Sequence, residues 1–269
     1  MSCRAFRTLL ATCLMLAVAG CTTYGPANPS FDLDVRDAWH ALDAMADQPR
    51  PAPRPVIVLA GWFDPGYAVG RLEQMLAEAV GEGSFVTVHF AAASDFDACR
   101  QRVIDAIDAA YPSDDPIWTT EVDVVAVSMG GLVARYAAAD PARGQPVRRL
   151  RIARLFTIST PHRGADFADL PAADPRQRAM RPGSAFLQQL ARAREDARYE
   201  LYPYVRLGDA IVGEPNAAPA RDVPWWLPNR RLEFAHVMAY RDPRIVADIA
   251  RRLRDEPAFA HNPRHPLPE

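Results

Sequence analysis

From residue 56 onward, short apolar runs alternate with segments of helical periodicity. This alternation predicts a parallel β-sheet with helices on both faces, and the carboxyl ends of its strands then share one edge, where ligands bind. The chain has 269 residues, 49% of them hydrophobic, which suffices for one such domain. The helices are predicted around residues 68–80, 95–110 and 130–139 and from about residue 243. The predicted strands are VIVLAG, FVTVHF, EVDVVAV, IARLFTIS, YELYPYVRL and RLEFAHVMAY.

The amino terminus has the features of an export signal. Two arginines precede an apolar stretch, Leu9–Ala19, that is shorter than the roughly 20 residues of a membrane-spanning helix. The small residues before Cys21 resemble the bacterial lipobox, in which the cysteine is lipidated and begins the mature chain. We therefore expect a lipoprotein signal peptide over residues 1–20 and an anchor at the outer membrane, since Thr22 rather than aspartate follows the cysteine. A cleaved signal with an incidental cysteine is the alternative.

Composition and chain organisation narrow the possible partners. The net charge is −2, and the 31 basic residues, all arginines, are scattered among 33 acidic ones, so nucleic acid is not an expected partner. We interpret residues 21–55 as a tether with one short packing helix, residues 56–256 as the main domain and residues 257–269 as a flexible tail. Cys3 and Cys13 would leave with the signal and Cys21 would carry the lipid, so Cys99 is the one cysteine left free and no internal disulfide is expected. We expect a monomer.

The segment VVAVSMGG joins a predicted strand to a predicted helix at Ser128. Ala126 and Gly130, two residues before and after the serine, are small enough for a sharp backbone turn. This pattern is typical of the nucleophile elbow, which presents a serine at the end of a strand. A serine that only caps the following helix is the plainer alternative.

Five segments, in this order, resemble the α/β-hydrolase superfamily and in particular its bacterial lipases and esterases. They are VIVLAGWF, VVAVSMGG, TISTPHRGA, RLGDAIVGEPNA and FAHVMAYRDPRIV. The resemblance extends from about Val56 to Leu253 and departs at Ala60, where lipases usually have histidine. It implies the α/β-hydrolase fold, a mostly parallel central sheet flanked by helices, with a lid-like insertion over residues 163–198.

A serine nucleophile needs a base, and the base needs a carboxylate that orients it. In this fold the three follow in the order Ser, Asp, His. His236 follows an apolar segment and precedes a helix start, whereas His162 comes too early in the chain and two later histidines, His261 and His265, lie in the tail. His236 is therefore the predicted base for Ser128.

Three aspartates are candidates for the acid. Asp209 ends an apolar segment, Asp222 lies in a proline-flanked stretch, and Asp242 is expected to cap the last helix. We therefore predict a catalytic triad of Ser128, Asp209 and His236.

Two further features concern substrate. The oxyanion that forms in acyl transfer needs backbone N–H donors, which we assign to Met129 and to Trp62, with Phe63 as the alternative to the latter. Trp225 and Trp226 lie in RDVPWWLPNR, and we expect one of them to wall an acyl pocket, unless the pair is a hydrophobic plug.

These features predict a serine carboxylester hydrolase, a lipase or esterase that acts on lipids or other acyl esters through an acyl-enzyme at the cell envelope. No ligand spacing for a metal and no glycine-rich phosphate loop occurs in the sequence, so no metal and no cofactor are expected. An acyltransferase or thioesterase with the same triad is the nearest alternative. A noncatalytic envelope lipoprotein that keeps the hydrolase scaffold is the alternative from another class.

Overall fold

The computed structural model describes residues 23–81, 85–140, 147–169, 174–230 and 232–269. Its strands, in chain order, are β1 (Thr23–Tyr24), β2 (Val56–Leu59), β3 (Phe85–Val88), β4 (Val122–Val127), β5 (Ile152–Ile158), β6 (Glu200–Arg206), β7 (Trp225–Leu227) and β8 (Asn229–Arg230). Six of them form one parallel sheet in the order β3-β2-β4-β5-β6-β7, and β1 pairs with β8 in an antiparallel ribbon. The predicted parallel sheet is confirmed.

Helices flank this sheet, and those predicted around 68–80, 95–110 and 130–139 are present. They are α1 (Val35–Asp47), α2 (Tyr67–Val80), α3 (Phe96–Ala110), α4 (Met129–Ala138), α5 (Pro175–Ala179), α6 (Ala185–Ala193), α7 (Ala235–Ala239) and α8 (Pro243–Leu253). Helix α1 packs against α2 and α8, and α3 packs against α4. Within the described ranges, no helix has both the length and the apolar character needed to cross a membrane.

The central strands explain the unbroken apolar runs in the sequence. Every residue of β2 and of β4 is buried, because helices cover both faces of the sheet. Cys99 lies in this core, and its burial raises the pKa of the thiol to about 11, so the group stays protonated at neutral pH.

The segment RLEFAHVMAY differs from its predicted strand. From Leu232 onward, where the structure describes it, the segment forms a turn followed by helix α7. The place beside β6 is taken instead by the short apolar run of β7, which pairs with it in parallel register. Leu232 and Phe234 are consequently left exposed.

Helix α1 lies within residues 21–55, the segment interpreted as a tether with one short packing helix. Ala38, Leu42 and Met45 are buried at spacings of four and three, which is the apolar face of an amphipathic helix. Trp39 of the same helix is exposed.

Trp225 and Trp226 lie in β7 and are each only 1% exposed. The Trp225 ring stacks on Tyr202 and Tyr204 at centroid distances of 5.8 and 5.5 Å. The structure thus places both indoles in the core, as a hydrophobic plug, and differs from the predicted acyl-pocket wall.

The carboxyl-terminal segment packs on these indoles and differs from the predicted flexible tail. The Trp226 indole N–H donates to the His265 carbonyl at 3.0 Å, and the Arg264 guanidinium lies 4.3 Å from the centroid of the Trp225 ring. The His265 N–H donates to Ser30 Oγ at 3.0 Å. These contacts hold the tail in place, where it covers two large indoles at the edge of the sheet.

Removal of residues 261–269 is expected to expose part of both indoles and to lower the free energy of unfolding by about 2 kcal/mol, the order of one buried large apolar side chain. Urea denaturation followed by fluorescence measures the change. Removal of residues 268–269 alone, which are exposed, is the control and should leave the transition unchanged. Identical midpoints for the two truncations would show that the tail does not cover the indoles.

Candidate active site

The site is built at the edge of the sheet where the parallel strands end. Ser128 follows β4, Ser159 follows β5, and Asp209 comes shortly after β6. These three strands are neighbours in the sheet. Backbone hydrogen bonds tie their ends together, from Ser128 N to Ile158 O and from Ser159 N to Tyr204 O, each at 2.8 Å. The predicted nucleophile and the predicted acid therefore lie on the same edge, with one strand, β5, between the two strands that they follow.

Ser128 has the backbone of a nucleophile elbow. Its φ is 50° and its ψ is −121°, a conformation that costs free energy for any residue with a Cβ and that recurs at functional sites. The residue is partly exposed, and its hydroxyl does not cap helix α4. The plainer interpretation, a serine that serves only as an N-cap, does not describe this turn.

The glycine after the elbow is required by a close approach of helix α4 to strand β2. A Cβ on Gly130 would lie 2.6 Å from the Ala60 carbonyl oxygen and 2.7 Å from that of Leu59. Both contacts are with backbone, so no side-chain rotation can relieve them. The small residue at position 130 is thus explained by its contact with β2.

Gly131 allows a second close approach, to the loop after β5. A Cβ there would lie 2.3 Å from Thr160 Oγ1. This threonine hydroxyl donates to the Ser128 carbonyl at 2.8 Å and so holds the elbow from the far side. Thr160 belongs to the TISTPHRGA segment, but its role depends on the packing of α4 and could not be read from the sequence.

Asp209 and His236 form a close pair at this edge. The distances from His236 Nδ1 to the two Asp209 carboxylate oxygens are 2.9 and 3.0 Å. The carboxylate is fully buried, and it also accepts the N–H groups of Ile211 and Val212 at 3.1 Å. An ionised carboxylate only accepts, so Nδ1 carries the hydrogen and Nε2 is the nitrogen left to take a proton.

The pKa of Asp209 is set by two opposing effects. Burial raises it, but the hydrogen bond and charge of His236, together with the Val212 N–H, outweigh burial and lower the pKa below its ordinary value. The aspartate is therefore ionised at neutral pH, as an orienting carboxylate must be.

Ser159 is a site residue that the sequence analysis missed. Its φ is 50°, and its hydroxyl is buried. The hydroxyl lies close enough to Asp209 to lower the pKa of that carboxylate, although among the described residues Ser159 Oγ has no partner at ordinary hydrogen-bond geometry. Ser159 belongs to the TISTPHRGA segment, but its place beside the acid could not be read from the sequence, because only the pairing of β5 with β6 brings the two together.

Ser128 and His236, both within the described ranges, make no hydrogen bond to each other in this structure. Gly61, in the loop after β2, lies on one side of the serine, and a Cβ on Gly61 would be 3.3 Å from the Ser128 Cβ. The His236 side chain is 14% exposed. Contacts between nucleophile and base are often long without substrate, and they shorten in the reacting complex.

Two backbone N–H groups near Ser128 are not used elsewhere. Met129 is the first residue of α4, so its N–H has no partner within the helix. Among the residues that the structure describes, neither this N–H nor that of Trp62 donates to a protein acceptor. These are the two donors predicted for the oxyanion. Phe63, the alternative to Trp62, has a φ of 59°.

The loop that carries Trp62 is held by the insertion. The Trp62 indole N–H donates to Asp174 at 2.8 Å. Burial raises the pKa of Asp174, but hydrogen bonds from Arg176 and Trp62 outweigh burial and lower that pKa to about 2, so the acceptor stays charged. Asp174 is a second residue that the sequence analysis missed.

The other histidine near the elbow, His162, is buried and is bonded to side chains of the core. Arg135 Nη1 donates to His162 Nδ1 at 3.0 Å, so the ring hydrogen is on Nε2, which contacts Thr157 Oγ1 at 3.0 Å. Burial, with the charge of Arg135, keeps the pKa of His162 well below its ordinary range. Both ring nitrogens are thus engaged and the ring is neutral.

The other two candidate acids have partners of their own. Asp222 forms an ion pair with Arg264 at 2.6 Å. Asp242 caps α8 through the Arg244 N–H and forms an ion pair with the Arg244 guanidinium at 2.6 Å. The cap predicted for Asp242 is confirmed, and of the three aspartates only Asp209 contacts His236.

The insertion predicted over residues 163–198 contains α5 and α6. Phe186 of α6 stacks on Phe96 of α3 at a centroid distance of 4.1 Å, and Leu187 and Leu190 are buried. Within the described residues, no group of three or more histidines, cysteines or carboxylates is placed to hold a metal ion. That the insertion moves as a lid remains a prediction.

Comparisons with known proteins bear on the fold. No family model matches the chain, and no curated protein matches it. The crystal structure of the lin2722 gene product from Listeria innocua is similar, with a TM-score of 0.54 and 13% identity over 76% of this chain and 95% of that one. The chain has the α/β-hydrolase fold.

Two other solved structures are similar at lower scores. One is an esterase from Pyrococcus furiosus, with a TM-score of 0.42 and 12% identity over 76% of this chain and 83% of that one. The other is a phospholipase from Legionella pneumophila, solved with thio-NAD, with a TM-score of 0.42 and 14% identity over 58% of this chain and 38% of that one.

The substitution Gly130→Ala is expected to lower the free energy of unfolding by about 1 to 3 kcal/mol, because the added methyl group overlaps backbone that cannot move aside. Gly70→Ala is the matched control, since a Cβ at Gly70 in α2 meets no atom within 4 Å. That control should be neutral or stabilising by up to about 1 kcal/mol. Thermal melts of both variants give the comparison, and equal melting temperatures would contradict the close approach of α4 to β2.

Proposed function

We propose that this protein is a serine carboxylester hydrolase of the lipase or esterase type. The observation that carries the proposal is the pairing of His236 with an ionised, buried Asp209 at the edge where Ser128 is presented by an elbow. A histidine with one nitrogen held by a carboxylate and the other left to take a proton is the base that a serine nucleophile needs.

In the proposed reaction, Ser128 Oγ attacks the ester carbonyl while His236 Nε2 takes the hydroxyl proton. Asp209 holds the Nδ1–H and stabilises the imidazolium that results. His236 then gives the proton to the departing alcohol, which leaves an acyl group on Ser128. A water molecule, activated by the same histidine, hydrolyses the acyl-enzyme and restores the free serine.

The negative charge that develops on the carbonyl oxygen needs donors that are already in place. The N–H groups of Met129 and Trp62 fill this role in the proposal, since neither has another acceptor among the described residues. Met129 also begins a helix, whose dipole favours negative charge at that end. The bond from Trp62 to Asp174 would keep the second donor in position.

Ser128→Ala is expected to abolish ester hydrolysis and labelling by a fluorophosphonate probe while leaving the fold intact, because the hydroxyl is the atom that forms the acyl-enzyme. Hydrolysis of p-nitrophenyl esters and gel fluorescence measure the two effects, and circular dichroism checks the fold. Ser94→Ala, at an exposed serine on another loop, is the control. A folded wild-type protein that neither hydrolyses esters nor reacts with the probe would favour a noncatalytic scaffold.

Asp209→Asn is expected to reduce kcat by about 10³-fold or more, because the amide can hold the imidazole in the wrong tautomer. Asp222→Asn is the matched control, since Asp222 pairs with Arg264 and not with His236. The control should keep kcat within about threefold of the wild type. Steady-state kinetics give the ranking, and a larger loss at Asp222 than at Asp209 would reverse the assignment of the acid.

The proposed location is the cell envelope, with a lipid on Cys21 that anchors the protein at the outer membrane. Cys21 lies outside the described residues, and the support for this proposal is the signal-like amino terminus and its resemblance to a lipobox. The anchor would keep the protein at a membrane without any spanning helix.

Cys21→Ser is expected to move the protein from the membrane fraction to the soluble fraction, or to leave an uncleaved precursor, because serine lacks the thiol that would accept the lipid. Cys99→Ser, which changes a buried thiol, is the control and should stay with the membrane. Fractionation with mass spectrometry of the amino terminus measures both. Membrane partitioning of both variants, with no added mass on the wild type, would contradict lipidation.

A further inference from the structure

The described chain begins beside the candidate active site. Strand β1 pairs with β8, with Thr23 opposite Arg230 and Tyr24 opposite Asn229. The next residue, Gly25, lies against Leu207, since a Cβ on that glycine would be 3.5 Å from Leu207 Cδ1. Leu207 precedes Asp209 by two positions, and β8 leads into the segment that carries His236. The described chain therefore starts at the edge of the sheet that carries the candidate site.

The proposed anchor has little freedom to lie elsewhere. Only Thr22 separates Cys21 from Thr23, and an extended chain spans at most about 3.6 Å per residue. The Cα atom of a lipidated Cys21 could thus be no more than about 7 Å from that of Thr23 at the start of β1. Such a short connection brings the membrane to the catalytic edge.

Exposed apolar side chains surround this edge on two loops. Leu232 is fully exposed, and Phe234 is 56% exposed, on the segment between β8 and α7. Phe63 and Tyr67 are 68% and 85% exposed, where the loop after β2 enters α2. A set of large exposed apolar groups at one edge marks a surface that contacts a partner or a membrane. We refer to these four residues as the apolar rim.

The two loops of the rim lie at the same edge of the sheet, since one follows β2 and the other comes after β7, two parallel strands of that sheet. Leu232 has a φ of 67°, a conformation that a leucine adopts only at a cost. Because the Leu232 side chain is fully exposed, it gains no packing within the described chain that would offset this cost. A contact between this leucine and another surface is therefore favoured.

We propose that the apolar rim docks on the membrane leaflet that holds the Cys21 lipid, so that the enzyme takes its acyl esters from that leaflet. This inference rests on the proposed function and deepens it, because it names the substrate class as membrane-embedded esters. Aromatic and aliphatic side chains beside a short lipid tether suit the boundary between headgroups and acyl chains. The lipid supplies attachment, and the rim supplies orientation.

The first test measures contact without catalysis. The mature lipoprotein with Ser128→Ala is placed in vesicles of phosphatidylethanolamine and phosphatidylglycerol, with a thiol-reactive fluorophore at Leu232→Cys. Cys99 should not label, because it is buried and burial raises its pKa to about 11. Ile117→Cys is the control, since Ile117 is 47% exposed but precedes β4 and lies at the opposite edge of the sheet.

Lipids brominated in their acyl chains should quench the fluorophore at position 232 at least threefold more strongly than at position 117. Equal quenching at the two positions would overturn the docking proposal. Because the Ser128→Ala protein has no nucleophile, this result does not depend on whether the protein hydrolyses esters.

The second test compares two forms of the same ester, one dissolved and one embedded in vesicles. Leu232→Glu should lower the ratio of the vesicle rate to the dissolved rate at least tenfold, whereas Ile117→Glu should not change that ratio. An unchanged ratio for Leu232→Glu would overturn the proposal. If the wild type hydrolysed neither form, the hydrolase function would fail, while the quenching result would still decide the orientation.

Discussion

The approach of helix α4 to strand β2 is the constraint on which the candidate site depends. A Cβ at Gly130 would overlap the carbonyl oxygens of Leu59 and Ala60, so only glycine lets the helix begin where it does. This contact presents the Ser128 side chain at the sheet edge. It also brings the start of α4, with its unused N–H at Met129, next to the loop after β2 that carries Trp62. One steric condition thus positions both the nucleophile and the proposed oxyanion donors.

His162 and His236 both lie near the elbow, but their hydrogen-bond partners and burial differ, and these differences decide which ring can transfer a proton. His162 is fully buried beside the Arg135 guanidinium, both of its ring nitrogens are engaged, and its pKa is held well below the ordinary range. His236 keeps one nitrogen on an ionised carboxylate and part of its ring accessible. The first ring cannot exchange protons with a substrate, whereas the second has both the partner and the access that proton transfer needs.

Both ends of the described chain meet beyond the last strand of the sheet. Asn28 donates to the Trp226 carbonyl at 2.7 Å, and the His265 N–H donates to Ser30 Oγ. These contacts cover β7, which would otherwise be an apolar edge strand. They also explain why the described chain starts near Asp209, since the segment that covers β7 passes Leu207 at the end of β6. The proposed anchor and the proposed chemistry are neighbours for this structural reason.

Local patterns in the sequence determined the strand-to-helix alternation and the turn at Ser128, whereas the proposed order of nucleophile, acid and base came from the resemblance to a known family. Apolar periodicity and small residues report directly on backbone conformation, so the parallel sheet and the edge that carries the candidate site could be predicted. The places of Trp225, Trp226 and residues 257–269 could not, because proline-rich composition does not reveal that a tail covers two indoles. Tertiary structure alone decided that Ser159 lies beside Asp209, that Asp174 holds Trp62, and that Leu232 is exposed near the chain start. Each of these depends on contacts between residues far apart in the chain, and no local pattern encodes which distant surfaces will meet.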